Sequence, residues 1–371
     1  MISEQKIRVA LVFGGRSSEH AVSCSTAASV LTAIDRERYD VIPVGIAPDG
    51  RWVLMPDEAE PLRLSTRNTP AVADTGATVV VPTSTRDREL TVLSPGEVPR
   101  TLGEVDVVFP LLHGPFGEDG TIQGLLELSD VRYVGSGVAA SALMMDKHLM
   151  KVVFEAAGLP VGPYAVITDR EWLRDPHAAL GKAEALGYPV FVKPARAGSS
   201  MGIVKVHEAA ELRAAIETAR EHDPKVVLEA GIVGREIECG LLQGHGTAST
   251  RASAVGECRV VQGHEFYDFD AKYLDGDNVV LSCPADVPAD VADRIRAMAV
   301  TAFDAAGCEG LARCDFFYTN DGEILINEIN TMPGFTPTSM FPVMWAESGI
   351  PYAALIDELI TLALERRVGL R

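Results

Sequence analysis

Residues 311–330 predict a β-hairpin whose two strands carry groups able to bind a metal ion. Leu311–Thr319 and Glu323–Ile329 are strand-like, and Asp321-Gly322 between them is typical of a two-residue hairpin turn. Because residues two apart on a strand share one face of the sheet, this register gathers four polar side chains on one side. The facing pairs are Asp315 with Glu328 and Arg313 with Asn330.

Two carboxylates that face each other across a hairpin repel, and a divalent cation between them removes the repulsion. Mg²⁺ favours one or two carboxylates together with phosphate oxygens, so Asp315 and Glu328 indicate a magnesium site. The other interpretation is a solvated acidic face in which Arg313 supplies the opposite charge. The hairpin alone leaves both interpretations open, and an odd-length loop would break the predicted geometry.

A loop rich in glycine and serine, residues 195–202, follows a strand that ends in Lys193. Backbone N–H groups at the glycines and the hydroxyls of Ser199 and Ser200 can hold an anion, and the lysine can neutralise phosphate charge. The Walker A pattern is absent. A Gly/Ser loop without any ligand is the alternative interpretation.

Two further loops, Phe13–His20 and His113–Gly120, follow predicted strands. Loops at the carboxyl ends of parallel strands line the ligand crevice of an open α/β sheet, so Glu19 is a candidate counter-ion for a substrate ammonium. Glu19 is equally well placed to stabilise the positive end of the following helix, and the second loop can equally be a glycine-rich turn. Without G-x-G-x-x-G, the first loop is only a weak candidate for dinucleotide binding.

Aromatic and charged residues alternate in His264–Tyr273, within a long connection. This composition is typical of an ordered functional loop or a lid. A loop packed only by its own aromatic side chains is the alternative.

Strands and helices alternate in the first part of the chain, which predicts a parallel sheet wrapped by helices. The predicted strands are Ile7–Phe13, Val41–Ile46 and Asp106–His113, with a helix over Val22–Ile34. Residues 57–103 are rich in Pro, Thr, Ser and Gly. We expect this segment to decorate the first domain and to contribute little to function.

The remainder of the chain predicts two more α/β units. A single long helix over Ser136–Ala157, closed by Gly158 and Pro160, leads into the second unit. Three domains are therefore expected, over residues 1–138, 139–230 and 231–371. The later predicted strands are Val190–Lys193, Ile203–Val206, Lys225–Glu229, Glu236–Leu242 and Ser253–Cys258, and the later helices are His207–Glu221, Ala289–Ala306 and Tyr352–Arg366.

Composition excludes several classes of protein. With 47% hydrophobic residues, the 371-residue chain has ample material for packed cores, and its net charge of −19 opposes binding to nucleic acid or to a membrane surface. Six cysteines without a C-x-x-C pattern indicate reduced thiols buried as small apolar groups. No apolar stretch approaches the ~18 residues of a membrane span, and the apolar run Ile7–Phe13 is too short for a signal sequence. A cytoplasmic protein is expected.

Taken together, these segments resemble the D-alanine–D-alanine ligase family of the ATP-grasp superfamily. The resemblance runs from Val12 to about Pro342, except for roughly residues 50–104. The departures are small, with His20 where arginine is common and Met332 where serine is common. Five segments occur in the family's order: GGRSSEHAVS (Gly14–Ser23), LLHGPFGEDG (Leu111–Gly120), FVKPARAGSSMG (Phe191–Gly202), YDFDAKY (Tyr267–Tyr273) and NEINTMPGFTPTS (Asn327–Ser339).

The resemblance implies a three-domain ATP-grasp architecture. An N-terminal open parallel α/β domain would precede central and C-terminal α+β domains that clamp ATP. The implied activity is ATP-dependent ligation of two D-alanine molecules through D-alanyl phosphate, for peptidoglycan precursor synthesis. The implied cofactors are ATP and two Mg²⁺ ions, with Mn²⁺ as a substitute, and the family is commonly dimeric, so a homodimer is expected.

The resemblance also implies a role for individual residues of the nucleotide and metal sites. Lys147, Lys193 and Ser200 would contact the phosphates, Glu229 and the Ile232 backbone the adenine, and Glu236 the ribose hydroxyls. The family's two-magnesium site would comprise Asp315, Glu328 and Asn330, in agreement with the hairpin geometry.

For the amino-acid substrates, Glu19 would hold the first ammonium within a network that includes Ser199 and Tyr273, with His113 nearby. Arg313 and the Gly334 N–H would stabilise the oxyanion, and Ser339 with Lys272 would hold the second carboxylate. Related ligases that make D-alanyl-D-lactate commonly carry histidine at the position of Tyr273. A neutral tyrosine therefore predicts the dipeptide, with little depsipeptide at neutral pH.

Two other classes stay open at this stage. One is an ATP-grasp ligase with a different carboxylate or nucleophile. The other is a nucleotide-binding protein without catalysis, which the Arg313, Asp315, Glu328 and Asn330 set disfavours because adenine binding needs no metal-facing carboxylates.

Overall fold

The computed structural model describes residues 6–65, 68–82, 84–86, 89–198, 201–260 and 279–367. Within these ranges the strands form three sheets, of seven, four and five strands in chain order. None of the helices in these ranges has the length and apolar character needed to cross a bilayer.

The first sheet is built around three parallel strands, β1 (Ile7–Gly14), β2 (Tyr39–Ile46) and β7 (Val107–Pro110). β1 lies in the middle and pairs with β2 on one side and with β7 on the other. Its residues are almost fully buried because helices and the C-terminal segment cover both faces, as parallel sheets require. Helix α1 (His20–Ala33) follows β1, and α2 (Thr121–Leu128) follows β7. The predicted parallel sheet is confirmed.

Residues 52–104 are an integral part of this sheet and not a decoration on it. They add four short strands in antiparallel order, which is the arrangement open to strands joined by turns rather than by crossover helices. The added strands are β3 (Trp52–Leu54), β4 (Thr78–Val80), β5 (Glu89–Leu93) and β6 (Arg100–Glu104), with a 3₁₀ turn at Glu60–Leu62.

The single helix predicted over Ser136–Ala157 is wrong, because the chain forms two helices there. α3 (Val138–Met145) and α4 (Lys147–Ala156) are separated by Asp146, which has an extended backbone with φ −91° and ψ 101°. The Asp146 carboxylate accepts hydrogen bonds from the His148 and Leu149 N–H groups, both at 3.2 Å. This cap starts a new helix at the very residue, Lys147, that the resemblance places at the phosphates.

The second sheet is antiparallel, in the order β10-β9-β11-β8. Its strands are β8 (Tyr164–Ile167), β9 (Val190–Pro194), β10 (Val204–Val206) and β11 (Val226–Ala230). Its helices are α5 (Asp169–Arg174), α6 (Pro176–Glu184) and α7 (Ala209–Arg220). Apolar residues of these helices and strands form one buried core.

The third sheet is antiparallel, in the order β14-β13-β12-β15-β16. Its strands are β12 (Gly234–Leu242), β13 (Arg251–Val260), β14 (Val279–Ser282), β15 (Leu311–Thr319) and β16 (Ile324–Asn330). Its helices are α8 (Ala289–Ala306), α9 (Met340–Glu347) and α10 (Tyr352–Glu365). Helix α10 returns to the first sheet, where Leu355 and Leu359 share a core with Leu11.

The turn of the β15–β16 hairpin differs from the prediction, although the register at its functional end does not. Near the turn the partners are Phe316 with Ile326, and Thr319 N–H donates to the Glu323 carbonyl, so the loop has three residues. An odd loop would shift every later pair, but a bulge in β16 adds one residue, Asn327, and restores the register. Asp315 consequently faces Glu328 as predicted.

The six cysteines all lie in the described ranges, and no disulfide joins them. Five are buried, and burial raises the pKa of the Cys24, Cys239 and Cys308 thiols to about 12. These thiols are therefore neutral near pH 7, in agreement with the prediction of small apolar core groups.

Candidate active site

One cavity of about 1200 Å³ lies where the three sheets meet, which is larger than the 300–1000 Å³ usual for a single small ligand. It is lined by every predicted site residue that the structure describes. Ser199, Ser200, Lys272 and Tyr273, like the whole of the aromatic loop His264–Tyr273, lie outside the described residues. The lining set is Glu19, His113, Lys147, Lys193, Glu229, Ile232, Glu236, Arg313, Asp315, Glu328, Asn330, Gly334 and Ser339.

On the polar face of the β15–β16 hairpin, Asp315 and Arg313 are in direct contact. Arg313 donates from Nε and from a terminal nitrogen to the two Asp315 oxygens, both at 2.7 Å, and Asn330 Nδ2 donates to Asp315 Oδ2 at 3.2 Å. Burial disfavours the charge on Arg313, but Asp315 and Glu238 outweigh it and raise the pKa of the guanidinium well above its usual value. Arg313 therefore stays charged and points in a fixed direction.

Glu238 belongs to the same face and was missed by the sequence analysis. It pairs with Asp315 across β12 and β15, while Asp315 pairs with Glu328, so three carboxylates stand in a row across three strands. Glu238 Oε2 is 3.2 Å from Arg313 Nε. The alternation of Glu236 and Glu238 on β12 was the available signal, but only the sheet order makes them neighbours of the hairpin.

The donor set at the hairpin fits a cation that arrives with phosphate. In the ranges that the structure describes, no cluster of three or more His, Cys, Asp or Glu side chains is arranged to hold a metal by itself. Asp315, Glu328 and Asn330 supply two carboxylates and one amide, which are oxygen ligands that Mg²⁺ takes when phosphate oxygens and water complete its shell.

Glu229, on β11, lies almost buried between two lysines at the wall of the cavity. Its Oε1 is 3.0 Å from Lys151 Nζ and its Oε2 is 2.5 Å from Lys193 Nζ. Burial raises the pKa of the Glu229 carboxyl, but the two lysines outweigh burial and hold the pKa well below its usual range. Lys151 was missed by the sequence analysis, although it follows Lys147 by four residues and so shares its helix face.

The loop after β9 is held at its base by groups from two other segments. Lys147 donates from its backbone N–H to the Ala195 carbonyl and from Nζ to the Ala197 carbonyl, both at 2.9 Å. Arg196 donates its backbone N–H and two side-chain N–H groups to the buried Asp223 carboxylate at 2.8 to 2.9 Å. These bonds fix where the glycine–serine loop leaves the sheet.

Glu19 is 5% exposed and sits at the start of α1, but its carboxylate makes no capping hydrogen bond to that helix. The carboxylate points instead between Gly114 and Gly198. A Cβ added to Gly114 would lie 2.5 Å from Glu19 Oε2, and one added to Gly198 would lie 2.4 Å from the same oxygen. A carboxylate that reaches into the cavity favours the counter-ion interpretation over the helix-stabilising one.

His113 is buried and neutral. Its Nδ1 is 3.1 Å from the Met332 carbonyl oxygen, which can only accept, so Nδ1 carries the proton. Its Nε2 is then free to accept from the Thr26 hydroxyl at 3.3 Å. Burial lowers the pKa of the imidazole, against the opposite effect of Glu19.

Glu118 is a second carboxylate that the sequence analysis left without a role. It accepts from the Gly114 N–H at 2.7 Å and from the Met332 N–H at 3.1 Å. Burial, followed by the charge of Glu19, raises the pKa of Glu118 to about 8, although the two N–H donors act in the opposite sense.

Ser339 stands at the N-terminus of α9 and close to Gly334. Its hydroxyl is 2.8 Å from the Thr336 hydroxyl and accepts from the Thr336 N–H at 3.2 Å, and a Cβ added to Gly334 would lie 3.2 Å from Ser339 Oγ. The start of a helix carries partial positive charge, so this corner of the cavity suits a carboxylate.

Two antiparallel sheets that enclose a nucleotide-sized cavity, with lysines on one side and a carboxylate face on the other, define an ATP-grasp enzyme. The family model described as the D-ala D-ala ligase N-terminus matches residues 8–136, and the model of the corresponding C-terminus matches residues 153–361. The chain belongs to the D-alanine–D-alanine ligase family.

Individual relatives agree with this assignment. The chain is 64% identical to a D-alanine–D-alanine ligase of an Arthrobacter species, over 99% of this chain and 96% of that protein. It resembles the crystal structure of the VanG D-Ala:D-Ser ligase from Enterococcus faecalis, with a TM-score of 0.82 and 37% identity over 97% of this chain and 100% of that one. The D-alanine–D-alanine ligase from Coxiella burnetii gives a TM-score of 0.80 and 32% identity over 98% of this chain and 95% of that one.

Proposed function

We propose that the chain joins two D-alanine molecules through a D-alanyl phosphate, with the residues that line the cavity as its binding and catalytic groups. As a member of this family the chain is an ATP-dependent ligase that forms D-alanyl-D-alanine for peptidoglycan precursors. The observation that carries the residue assignments is the convergence of thirteen predicted residues from all three sheets on one cavity.

The nucleotide occupies the side of the cavity formed by the second and third sheets. Lys147 and Lys193 contact the phosphates, together with Ser200 of the loop after β9. Glu229 and the Ile232 backbone bind the adenine, and Glu236 binds the ribose hydroxyls. The Lys193–Glu229 contact keeps both side chains at the cavity wall before the nucleotide binds.

Two Mg²⁺ ions, for which Mn²⁺ can substitute, are held by Asp315, Glu328 and Asn330 together with phosphate oxygens. When bound, they neutralise charge on the transferred phosphate. Arg313 donates two hydrogen bonds to Asp315, so its guanidinium stays next to the proposed metal ligands.

The first D-alanine binds with its ammonium at Glu19, near the neutral His113 and within a network that includes Ser199 and Tyr273. Its carboxylate attacks the γ-phosphorus, ADP leaves, and the acyl phosphate so formed is an activated electrophile. The lysines spread the negative charge of this transfer.

The second D-alanine binds with its carboxylate at Ser339 and Lys272, beside the positive end of α9. Its deprotonated amine attacks the acyl carbon and phosphate leaves. Arg313 and the Gly334 N–H stabilise the oxygen of the tetrahedral intermediate, a contribution of ~3 kcal/mol per donor in comparable sites.

We further propose domains over residues 1–138, 139–230 and 231–371, a homodimer, and a cytoplasmic location. The domain limits are supported by the separate hydrogen-bonding of the three sheets. Light scattering of the purified protein would test the dimer.

The activity is tested by supplying ATP and Mg²⁺ with D-alanine or with L-alanine. We expect ADP, phosphate and dipeptide with the D-isomer alone, and a dipeptide rate that rises towards alkaline pH as the second amine loses its proton. ADP release without D-alanyl-D-alanine would contradict the assignment.

The nucleophile is tested separately, because VanG is a D-Ala:D-Ser ligase and some relatives use D-lactate. Equal concentrations of D-alanine, D-serine and D-lactate should give mainly D-alanyl-D-alanine at pH 6 and at pH 8. A predominant D-alanyl-D-lactate product at either pH would refute the role given to Tyr273. A predominant D-alanyl-D-serine product would place the chain with the VanG-type ligases.

A further inference from the structure

Glu118 joins two loops that approach the cavity from different sheets. Its Oε2 accepts from the N–H of Gly114, in the loop after β7 of the first sheet. Its Oε1 accepts from the N–H of Met332, in the segment after β16 of the third sheet. One carboxylate therefore fixes the separation of two pieces of backbone that no strand pairing connects.

Met332 is held from the first sheet at both of its backbone polar groups. Its N–H donates to Glu118 and its carbonyl accepts from His113 Nδ1 at 3.1 Å. Both partners come from one stretch of six residues, His113–Glu118. Met332 is therefore held through both peptide groups that flank its Cα, which leaves the residue little freedom to shift or to rotate.

The two loops carry groups with complementary roles in the proposed reaction. Gly114 packs against the carboxylate of Glu19, which holds the first D-alanine. Met332 stands two residues before Gly334, whose N–H meets the oxyanion, and two residues after Asn330. The position of Met332 relative to Gly114 therefore sets the position of the oxyanion donor relative to the bound acyl group.

We propose that Glu118 is a positioning residue, which couples the first D-alanine site at Glu19 to the oxyanion donor at Gly334 by holding the Gly114 and Met332 N–H groups on one carboxylate. This inference rests on the proposed function. Since attack on the acyl phosphate depends on the alignment of the oxyanion donor, a misplacement of about 1 Å is expected to slow that step up to ~100-fold. Formation of the acyl phosphate depends on the metal and the lysines and is affected less.

The test is the Glu118→Gln variant, because each Glu118 oxygen can accept a backbone N–H whether or not the carboxyl group carries a proton, whereas the amide NH₂ that replaces one of them cannot accept. The measurement is the ratio of ADP released to D-alanyl-D-alanine formed, with the kcat for dipeptide and the KM for D-alanine. We expect kcat for dipeptide to fall tenfold or more, and the ratio to rise because acyl phosphate that is not captured is hydrolysed.

Asp119→Asn is the matched control at the next residue. Asp119 accepts from the Phe116 and Thr121 N–H groups at 2.8 and 3.0 Å and from the Thr121 hydroxyl at 2.6 Å, all within three residues of it in the chain, and makes no contact with Met332 among the described residues. If the Glu118 carboxylate only stabilised its loop, Glu118→Gln and Asp119→Asn would have the same effect on the ratio of ADP to dipeptide. Only the variant at Glu118 is expected to change the ratio.

Glu118→Asp keeps both oxygens on a shorter side chain and decides the matter if Glu118→Gln does not fold. It should raise the ratio in the same direction by a smaller factor. A wild-type ratio in a folded Glu118→Gln or Glu118→Asp protein, or an equal change in Asp119→Asn, would overturn the proposal. If the wild-type protein itself makes no dipeptide, the proposed function fails first, so the two failures are distinguishable.

Discussion

Replacing Lys151 by methionine removes one of the two cations that hold the Glu229 carboxylate, while it keeps most of the apolar stem. Removing one partner of a buried ion pair costs ~3–5 kcal/mol when the other charge is left alone. Here Lys193 stays 2.5 Å from Glu229 Oε2, so the carboxylate loses only the 3.0 Å contact at Oε1, while Tyr164 loses an ammonium that stands 5.6 Å from its ring centroid. The expected cost is that of one hydrogen bond to a charged group, ~1.5–3 kcal/mol.

The assay is equilibrium unfolding in urea, with Lys182→Met as the matched control. Lys182 contacts Glu171 at 2.8 Å and donates to the Val166 carbonyl at 2.6 Å, but the Lys182 and Glu171 side chains are about one-third exposed, and an exposed pair contributes only ~0–1 kcal/mol. Lys151→Met should therefore lower the free energy of unfolding by more than Lys182→Met does. Equal losses would refute the claim that burial gives the Lys151–Glu229–Lys193 contacts their strength.

The pH dependence of this effect has a fixed sign. The folded-state pKa of Glu229 lies below its unfolded value of ~4.3, so the folded state binds fewer protons and the stabilisation is fully present above that value. It is lost as the pH falls through the folded-state pKa. The difference in unfolding free energy between wild-type and Lys151→Met protein should be constant from pH 5 to 7 and shrink in more acidic solution.

Asp315→Ala and Glu328→Gln should each abolish ligation and leave the fold largely intact, and near-wild-type turnover at limiting Mg²⁺ in either variant would contradict the metal assignment. Gly198→Ala should lower kcat/KM for D-alanine about tenfold, or ~1.4 kcal/mol, because its Cβ would lie 2.4 Å from the Glu19 carboxylate. The control is Gly124→Ala on α2, where a Cβ would meet open space, and it should instead stabilise the fold by ~0.4–1 kcal/mol. Lys193→Ala should weaken ATP binding in calorimetry and slow acyl phosphate formation, and unchanged affinity and turnover would leave Lys193 only its contact with Glu229.

The sequence determined those features that depend on residues near one another in the chain. Strand alternation and turn residues gave β15 correctly as Leu311–Thr319 and placed Asp315 opposite Glu328, because side-chain period and register are local properties. The order of five motifs was enough to indicate the family. The hairpin loop was misjudged by one residue, since sequence spacing does not show whether a bulge such as the one at Asn327 compensates an odd turn.

Tertiary structure alone decided which distant groups meet. The continuous apolar pattern gave no sign of the helix break at Asp146. A side-chain cap interrupts a helix only where tertiary contacts stabilise the residues at the break. Here Lys225 contacts Asp146, and Lys147 contacts the loop after β9. Lys151 and Glu118 likewise gain partners from another sheet, and Glu238 gains its own from the neighbouring strand β15 of the third sheet. A buried charge is stable only beside a partner of opposite charge. Lys151 and Glu229 are 78 residues apart in the chain, so no local sequence pattern predicts that they meet.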